Sequence, residues 1–171
     1  MVGVVLVAFG VVLAVQHRSE PSVPRLVQQH RPVPAFTVTT LDGKKIDAKQ
    51  LQGKTYVVNF FNSWCIPCQQ ETPALQAFYA AHKNDADFAM VGIVRDDDEH
   101  AVRGYVAANK IGWPVALKGG QQASLDFGTT GQPETYVIAP DGIAACGTLG
   151  PSTENDLEIM LGAARSGEVC T

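Results

Sequence analysis

Two cysteines separated by two residues, Cys65 and Cys68, are the residues of this chain best suited to chemistry. They follow an apolar run at 56–61 and precede a stretch with helical character at 69–83. The N-terminus of a helix stabilises a thiolate through its free N–H groups and its dipole. Because the second thiol lies less than one turn later, it can attack a mixed disulfide formed by the first. The spacing therefore predicts thiol–disulfide exchange.

The phase of the predicted helix assigns different roles to the two thiols. Leu75 and Tyr79 lie on the same helix face as Cys68, and both are side chains typical of a core. Cys68 is therefore expected to point inward and to resolve the mixed disulfide. Cys65, at the helix start, is expected to be exposed and to attack the substrate disulfide. Pro67 fits this start, because the N–H groups of a first turn have no helical partner.

A zinc site is the structural alternative for such a pair, and it needs two further ligands, commonly from a second close pair. Cys146 and Cys170 are 24 residues apart and form no such pair. His82 and His100 have no matching spacing either. The sequence therefore predicts no metal site, and thiol–disulfide exchange itself needs no cofactor.

Cys146 and Cys170 are the two cysteines that remain outside the close pair. In an oxidising compartment, a second pair of cysteines favours a structural disulfide. The alternative is one buried free thiol and one thiol in a frayed C-terminal tail.

Composition and charge exclude some classes of partner. The chain has 171 residues, a hydrophobic fraction of 46% and a net charge of -4. The length and the apolar content are sufficient for one domain with a full core, together with a tail. The lysines and arginines are scattered rather than clustered, which argues against nucleic acid as a partner.

The N-terminal part of the chain differs in kind from the rest. Residues 1–15 carry no charge and no side-chain hydrogen-bonding group. A membrane-spanning helix needs about 20 apolar residues, and the apolar part of a signal peptide about 7–15. We therefore expect residues 1–15 to be a membrane anchor truncated at its start, or an export signal. Residues 16–34 hold four prolines without apolar periodicity, which predicts an extended linker to a folded domain at 35–171.

Strands and helices alternate around the cysteine pair. The predicted elements are buried strands at 56–61 and 88–94, hairpins at 36–46 and 135–149, and helices at 69–83, near 102–106 and after a capping box at 153–156. Pro73 falls inside the first helix, which predicts either a tolerated kink or a later helix start. This order of elements predicts an α/β fold with a central mixed sheet flanked by helices.

Three motifs together resemble those of thioredoxin-like proteins. They are Trp64 directly before the cysteine pair, Pro73 five residues after it, and a Gly-x-Pro-Glu-Thr sequence at 131–135 before a strand. The chain is most similar to the extracytoplasmic, membrane-tethered branch of TlpA, ResA and DsbE type. The resemblance covers 35–166 and implies a thioredoxin-like fold with an N-terminal hairpin and a central αβ insertion, between 93 and 125.

The resemblance also implies which residues contact the substrate. Pro133 is expected to be cis and to lie beside the disulfide, and Gln132 to offer backbone groups to an extended substrate segment. Gln132 departs from the family pattern, in which this position is apolar or threonine. Trp64, Ile66 and Pro67 complete the expected substrate-binding residues.

Glu71, three residues after Cys68, matches a carboxylate of the TlpA/ResA branch. The resemblance implies that it relays protons or raises the pKa of the thiol by like-charge repulsion. Thioredoxin itself carries a buried aspartate at the position of Asn59, and an amide cannot act as the base. The alternative for Glu71 is an ordinary first-turn carboxylate, stabilised by the helix dipole.

The function implied is a protein thiol–disulfide oxidoreductase at the outer face of a bacterial membrane, or secreted. We expect a reductase, with apocytochrome c cysteines as a candidate substrate and a membrane thiol-transfer protein as the electron donor. A disulfide-forming oxidase is the nearest alternative, because the same residues serve either direction. A peroxiredoxin-like peroxidase and a thioredoxin-fold metal-binding chaperone are further alternatives. The close cysteine spacing disfavours both, and the chaperone also lacks a matching distal histidine.

Overall fold

A single mixed β-sheet forms the centre of the molecule in this computed structural model, which describes residues 25–170. Its eight strands are β1 Arg25–Pro32, β2 Thr37–Thr40, β3 Lys45–Asp47, β4 Thr55–Phe61, β5 Phe88–Val94, β6 Val115–Lys118, β7 Glu134–Ile138 and β8 Ile143–Leu149. They lie side by side in the order β1-β8-β7-β4-β5-β6-β2-β3. Strand β5 runs parallel to β4 and β6, whereas the other pairings are antiparallel. The mixed sheet predicted from the sequence is confirmed.

Helices cover both faces of this sheet. They are α1 Ile66–His82, α2 Glu99–Ala108, α3 Gly120–Phe127 and α4 Glu154–Ser166. On one face, the core contains Leu75 and Phe78 of α1 together with Leu157 of α4. On the other face, Phe127 of α3 packs against Phe60 of β4. The two cores account for the continuously buried pattern of β4, whose side chains alternate between them.

Helix α1 runs through both of its prolines. Pro67 lies in the first turn, and Pro73 lies inside the helix. The expectation of a later helix start is therefore wrong, and the helix begins directly after Cys65. An interior proline costs about 3 kcal/mol, and the buried face of α1, which includes Leu75 and Phe78, offsets that cost.

The expected linker at 16–34 is corrected over its C-terminal half. Residues 25–32 form β1, which pairs antiparallel with β8. Strand pairing uses backbone groups, so a segment without apolar periodicity can still be an edge strand. Pro32 ends the strand, a position at which proline is tolerated in sheets. The folded domain thus includes residues 25–34, which the sequence assigns to the linker.

The expected anchor or signal at 1–15 and the linker residues 16–24 lie outside the described part of the chain. Within residues 25–170, no helix is long and apolar enough to cross a membrane.

The central insertion between β5 and β7 consists of α2, β6 and α3. Helix α3 begins unusually close to the end of β5. A Cβ atom on Gly120 would lie 1.9 Å from the carbonyl oxygen of Val94. Only glycine therefore permits this approach, which brings the surface of α3 to the edge of the cysteine site.

Candidate active site

Cys65 is the N-cap residue of α1, in the loop that follows β4. Its Sγ accepts a hydrogen bond from the backbone N–H of Cys68 at 3.2 Å, and the two residues are joined by a disulfide. After reduction, the same N–H group and the helix dipole stabilise negative charge on the Cys65 sulfur. This is the geometry of an attacking thiolate.

Both cysteines are buried, with exposed fractions of 5% for Cys65 and 2% for Cys68. The prediction of a well-exposed Cys65 is therefore wrong. The carbonyl oxygen of Gln132 lies 3.8 Å from Cys65 Sγ and covers one side of it. The exposed side chains are instead those of the flanking residues Trp64 and Ile66. Trp64 is 60% exposed. The disulfide is thus recessed beside two exposed apolar side chains.

The Gln132–Pro133 peptide bond is cis and lies directly before β7. Because β7 runs antiparallel to β4, with Glu134 opposite Phe60, the start of β7 lies at the end of β4 from which the cysteine loop departs. Register in the sheet therefore places Pro133 beside the cysteines, 68 residues after Cys65 in the chain.

A buried carboxylate holds the turn before Pro133. Glu134 accepts hydrogen bonds from the backbone N–H groups of Thr130 and Gly131, at 2.8 and 2.9 Å. Its other oxygen accepts from the hydroxyl of Tyr136 at 2.7 Å. Glu134 therefore fixes the conformation of the turn that precedes Pro133.

Glu71 is buried behind the disulfide, with an exposed fraction of 1%. It accepts hydrogen bonds from Asn59 Nδ2 at 3.1 Å, from Thr135 Oγ1 at 3.3 Å and from the backbone N–H of Ser152 at 2.9 Å. Burial raises the pKa of Glu71 to about 7, although these hydrogen bonds act to lower it. The alternative of an ordinary first-turn carboxylate is wrong, because α1 begins at Ile66 and Glu71 faces the interior from its second turn.

A small cavity of about 10 Å³ lies beside Cys68. Asn59, the partner of Glu71, lines the cavity together with Cys68 itself. The remaining lining side chains are Phe61, Thr72, Leu75, Tyr105, Ile111 and Trp113. Glu71 is therefore hydrogen-bonded to a residue, Asn59, that lines the same cavity as Cys68.

The sequence did not identify Tyr105 and Trp113 as residues of the site. The hydroxyl of Tyr105 is hydrogen-bonded to Thr72 Oγ1, which in turn donates to the carbonyl oxygen of Cys68 at 3.0 Å. Trp113 is buried, and its Nε1 has no hydrogen-bond partner among the described residues. Tyr105 belongs to an apolar helix face, which indicates packing alone, and no motif surrounds Trp113.

Cys146 of β8 and Cys170, after α4, are joined by a second disulfide. Both residues are buried in the core that α1 and α4 share. This bond fastens the end of the chain to the sheet, apart from the residues that surround Cys65.

A scan against family models matches residues 30–145 to the AhpC/TSA family. The thiol–disulfide oxidoreductase ResA of Bacillus thuringiensis (strain Al Hakam) is 32% identical over 132 residues, which is 77% of this chain and 76% of that protein.

Solved structures show the same relationship. A thiol:disulfide interchange protein of the thioredoxin family from Chlorobium tepidum TLS is 28% identical, with a TM-score of 0.70 over 81% of this chain and 98% of that one. A secreted disulfide oxidoreductase of Mycobacterium tuberculosis, described as homologous to DsbE of E. coli, is 25% identical, with a TM-score of 0.67 over 75% and 95% of the two chains. The chain thus belongs to the AhpC/TSA family of thioredoxin-like proteins and is a thiol–disulfide oxidoreductase with the pair Cys65–Cys68.

Proposed function

We propose that this protein is an extracytoplasmic protein disulfide reductase. In the reduced state, the Cys65 thiolate attacks one sulfur of a substrate disulfide, forms a mixed disulfide and releases the other sulfur as a thiolate. Cys68 then loses its proton and attacks the Cys65 sulfur, which releases the second substrate thiolate. The substrate gains two electrons, and Cys65–Cys68 becomes oxidised.

The burial of Glu71 near the cysteine pair is the observation that favours reduction of substrate disulfides over their formation. Glu71 is three residues after Cys68, and its buried carboxylate accepts a hydrogen bond from Asn59, which lines the cavity beside that thiol. A nearby negative charge disfavours a thiolate. Strong oxidants of this fold owe their potential to a stabilised reduced form. A carboxylate behind the pair acts in the opposite sense and makes the dithiol a better reductant.

Glu71 also serves the resolving step as a proton acceptor. Because its pKa is raised to about 7 by burial, it can exchange a proton near neutral pH. Asn59 cannot take the proton, and it holds the carboxylate in place through the bond from its Nδ2.

The equilibrium potential of Cys65–Cys68 against glutathione tests the direction. We expect a value near or below about −230 mV, in the range of reducing members of this fold. A value near about −120 mV is that of an oxidase and would overturn the proposal.

The placement outside the cytoplasm is supported by the apolar residues 1–15 and by the secreted relative from Mycobacterium tuberculosis. The position of Arg25, the first described residue, is consistent with a partner in the membrane. Arg25, the first residue of β1, lies opposite Leu149, and Leu149 lies opposite Glu134 next to Pro133. Strand β1 therefore begins at the same end of the sheet as the cysteines.

The proposed partners are a membrane thiol-transfer protein, as electron donor, and disulfides of exported proteins, with apocytochrome c as the candidate substrate. Carbonate extraction of membranes from cells that express the full chain tests the tether. Retention in the membrane fraction is expected, and release into the soluble fraction would contradict an anchor.

A further inference from the structure

Arg95 is a half-buried cation at the edge of the active site. Its Nε donates to Ser124 Oγ at 2.8 Å, and its Nη1 donates to Oε1 of Gln132. Both acceptors are neutral, and among residues 25–170 no carboxylate forms an ion pair with this guanidinium. A partly desolvated charge without a counter-ion is unfavourable, and a carboxylate from a bound partner would relieve it.

The position of Arg95 is fixed by the loop that carries the cysteines. Its backbone N–H donates to the carbonyl oxygen of Phe61 and to Asn62 Oδ1, both at 3.2 Å. Phe61 and Asn62 lead directly into the cysteine loop. The guanidinium therefore keeps a constant place relative to Cys65.

Arg95 also orients Gln132, the residue that departs from the family pattern. Because Gln132 Oε1 accepts from Arg95, the amide group presents its Nε2 donors away from the guanidinium. The result is a row of N–H donors next to the turn at Pro133, provided by Gln132 and by the remaining N–H groups of Arg95. Donors at this place favour a substrate that offers an acceptor.

These donors line a groove of about 310 Å³ that opens beside the disulfide. Trp64 and Leu125 form apolar walls, and both side chains are exposed. Leu125 comes from α3, which Gly120 brings to this edge. A second groove, of about 410 Å³, shares Arg95 with the first and continues along α3, so the two can take an extended segment.

Asp96 borders both grooves and limits what they accept. Its exposed carboxylate repels an acidic run, and none of the ion pairs in the described part of the chain joins it to Arg95. The groove is therefore complementary to a single carboxylate flanked by apolar residues, rather than to a strongly acidic segment.

We propose that Arg95 and Gln132 are specificity-determining residues that select protein segments carrying one Asp or Glu side chain next to the attacked cysteine. This inference rests on the proposed disulfide reductase activity. Arg95 binds the carboxylate directly, and Gln132 supplies a second donor. The charge-assisted bond is partly exposed to water, so its effect on substrate choice is about fivefold.

Single-turnover reduction of matched disulfide peptides by the reduced protein tests the inference. The peptides differ only in carrying Glu, Gln or Lys on either side of one cysteine. We expect a second-order rate constant about fivefold higher for Glu than for Gln, with Lys the poorest and with a smaller preference at high salt.

Substitutions separate the roles of the two residues. In Arg95→Gln, the Glu/Gln ratio is expected to fall to about one. In Gln132→Ala, the guanidinium and hence a preference for Glu remain. Arg103→Gln is the matched control, because Arg103 is an exposed arginine paired with Glu99 outside the groove, and it should retain the wild-type ratio.

Three results would overturn the inference. Equal rates for the Glu and Gln peptides contradict it while leaving the reductase activity intact. A preference that persists in Arg95→Gln assigns the selection to other residues. Failure of the reduced wild-type protein to reduce any peptide refutes the proposed function, and the inference with it.

Discussion

At the scale of single residues, Glu71 shows how burial changes the chemistry of a side chain. Its ordinary pKa is 4.5, and desolvation raises it to about 7 in the folded protein. Between these pH values, the folded state holds a proton that the unfolded state releases. The stabilisation is therefore fully present below about pH 4.5 and is lost as the pH rises to about 7.

Replacing Glu71 with Gln removes this titration. We expect the unfolding free energy of Glu71→Gln to increase relative to that of the wild type as the pH rises from about 4.5 to 7. The gain amounts to about 3 kcal/mol, since each unit of pKa shift corresponds to about 1.36 kcal/mol. Denaturant unfolding over this pH range measures the difference.

Glu168→Gln, at an exposed position, is the control, and its stability should run parallel to that of the wild type. Glu71→Gln should also shift the pH dependence of thiol alkylation in the reduced protein. Parallel stability curves together with an unchanged alkylation profile would show that Glu71 is not coupled to the thiols.

The residues of the site differ in how far the sequence identified them. Spacing alone found Cys65 and Cys68, because two thiols within one helical turn have few other uses. Pro133 and Glu71 needed the resemblance to a family. No sequence motif marked Arg95 as a residue of the site. Its role depends on a hydrogen bond to Gln132, 37 residues away in the chain.

At the scale of elements, the site is assembled by strand ends and helix starts. Cys65 lies at the N-terminus of α1, after the end of β4. Pro133 lies at the same edge of the sheet, directly before β7. Periodicity predicted these elements correctly. It could not predict that α3 of the insertion lies against the end of β5, because that contact depends on the missing side chain of Gly120.

Gly120→Ala tests the close approach of α3. A Cβ atom there would meet the backbone oxygen of Val94 at 1.9 Å, so helix or strand must move. We expect a loss of about 2–3 kcal/mol in unfolding free energy, together with altered peptide selectivity through Leu125. Thermal or denaturant unfolding measures the first effect, and the peptide assay measures the second.

Gly162→Ala is the matched control in a helix. Gly162 lies in α4, and a Cβ atom there would meet nothing within 4 Å. Alanine should stabilise this helix by about 0.5–1 kcal/mol. Equal effects of the two substitutions would contradict the packing assigned to α3.

At the scale of the whole molecule, both ends of the described residues, 25–170, are attached to β8. The N-terminal strand β1 pairs along it, and the disulfide from Cys146 to Cys170 fastens the C-terminal tail to it. Strand β8 is thereby covered on the side away from β7, which protects an otherwise open sheet edge.

Cys170→Ala tests the contribution of the tail. Closure of a loop of this size by a disulfide contributes about 3 kcal/mol, mainly by restricting the unfolded chain. We expect the variant to lose that amount in unfolding free energy, while alkylation of Cys65 in the reduced protein is unchanged. Chemical denaturation under non-reducing conditions makes the comparison.

Val169→Ala changes the neighbouring tail residue without touching the disulfide and should cost much less. Peptide mapping under non-reducing conditions provides the direct check. Two free thiols at Cys146 and Cys170 in the wild type would refute the bond, whatever the stability of the variants.

The sequence by itself determined the reactive pair and the α/β order, because these depend on local spacing and periodicity, and its motifs carried the resemblance to a thioredoxin-like family. Only the tertiary structure decided that Cys65 is recessed, that residues 25–32 are a strand, and that Arg95 holds Gln132. Each of these results from contacts between segments far apart in the chain. Burial, strand pairing and the pKa of Glu71 depend on those contacts, which local patterns do not contain.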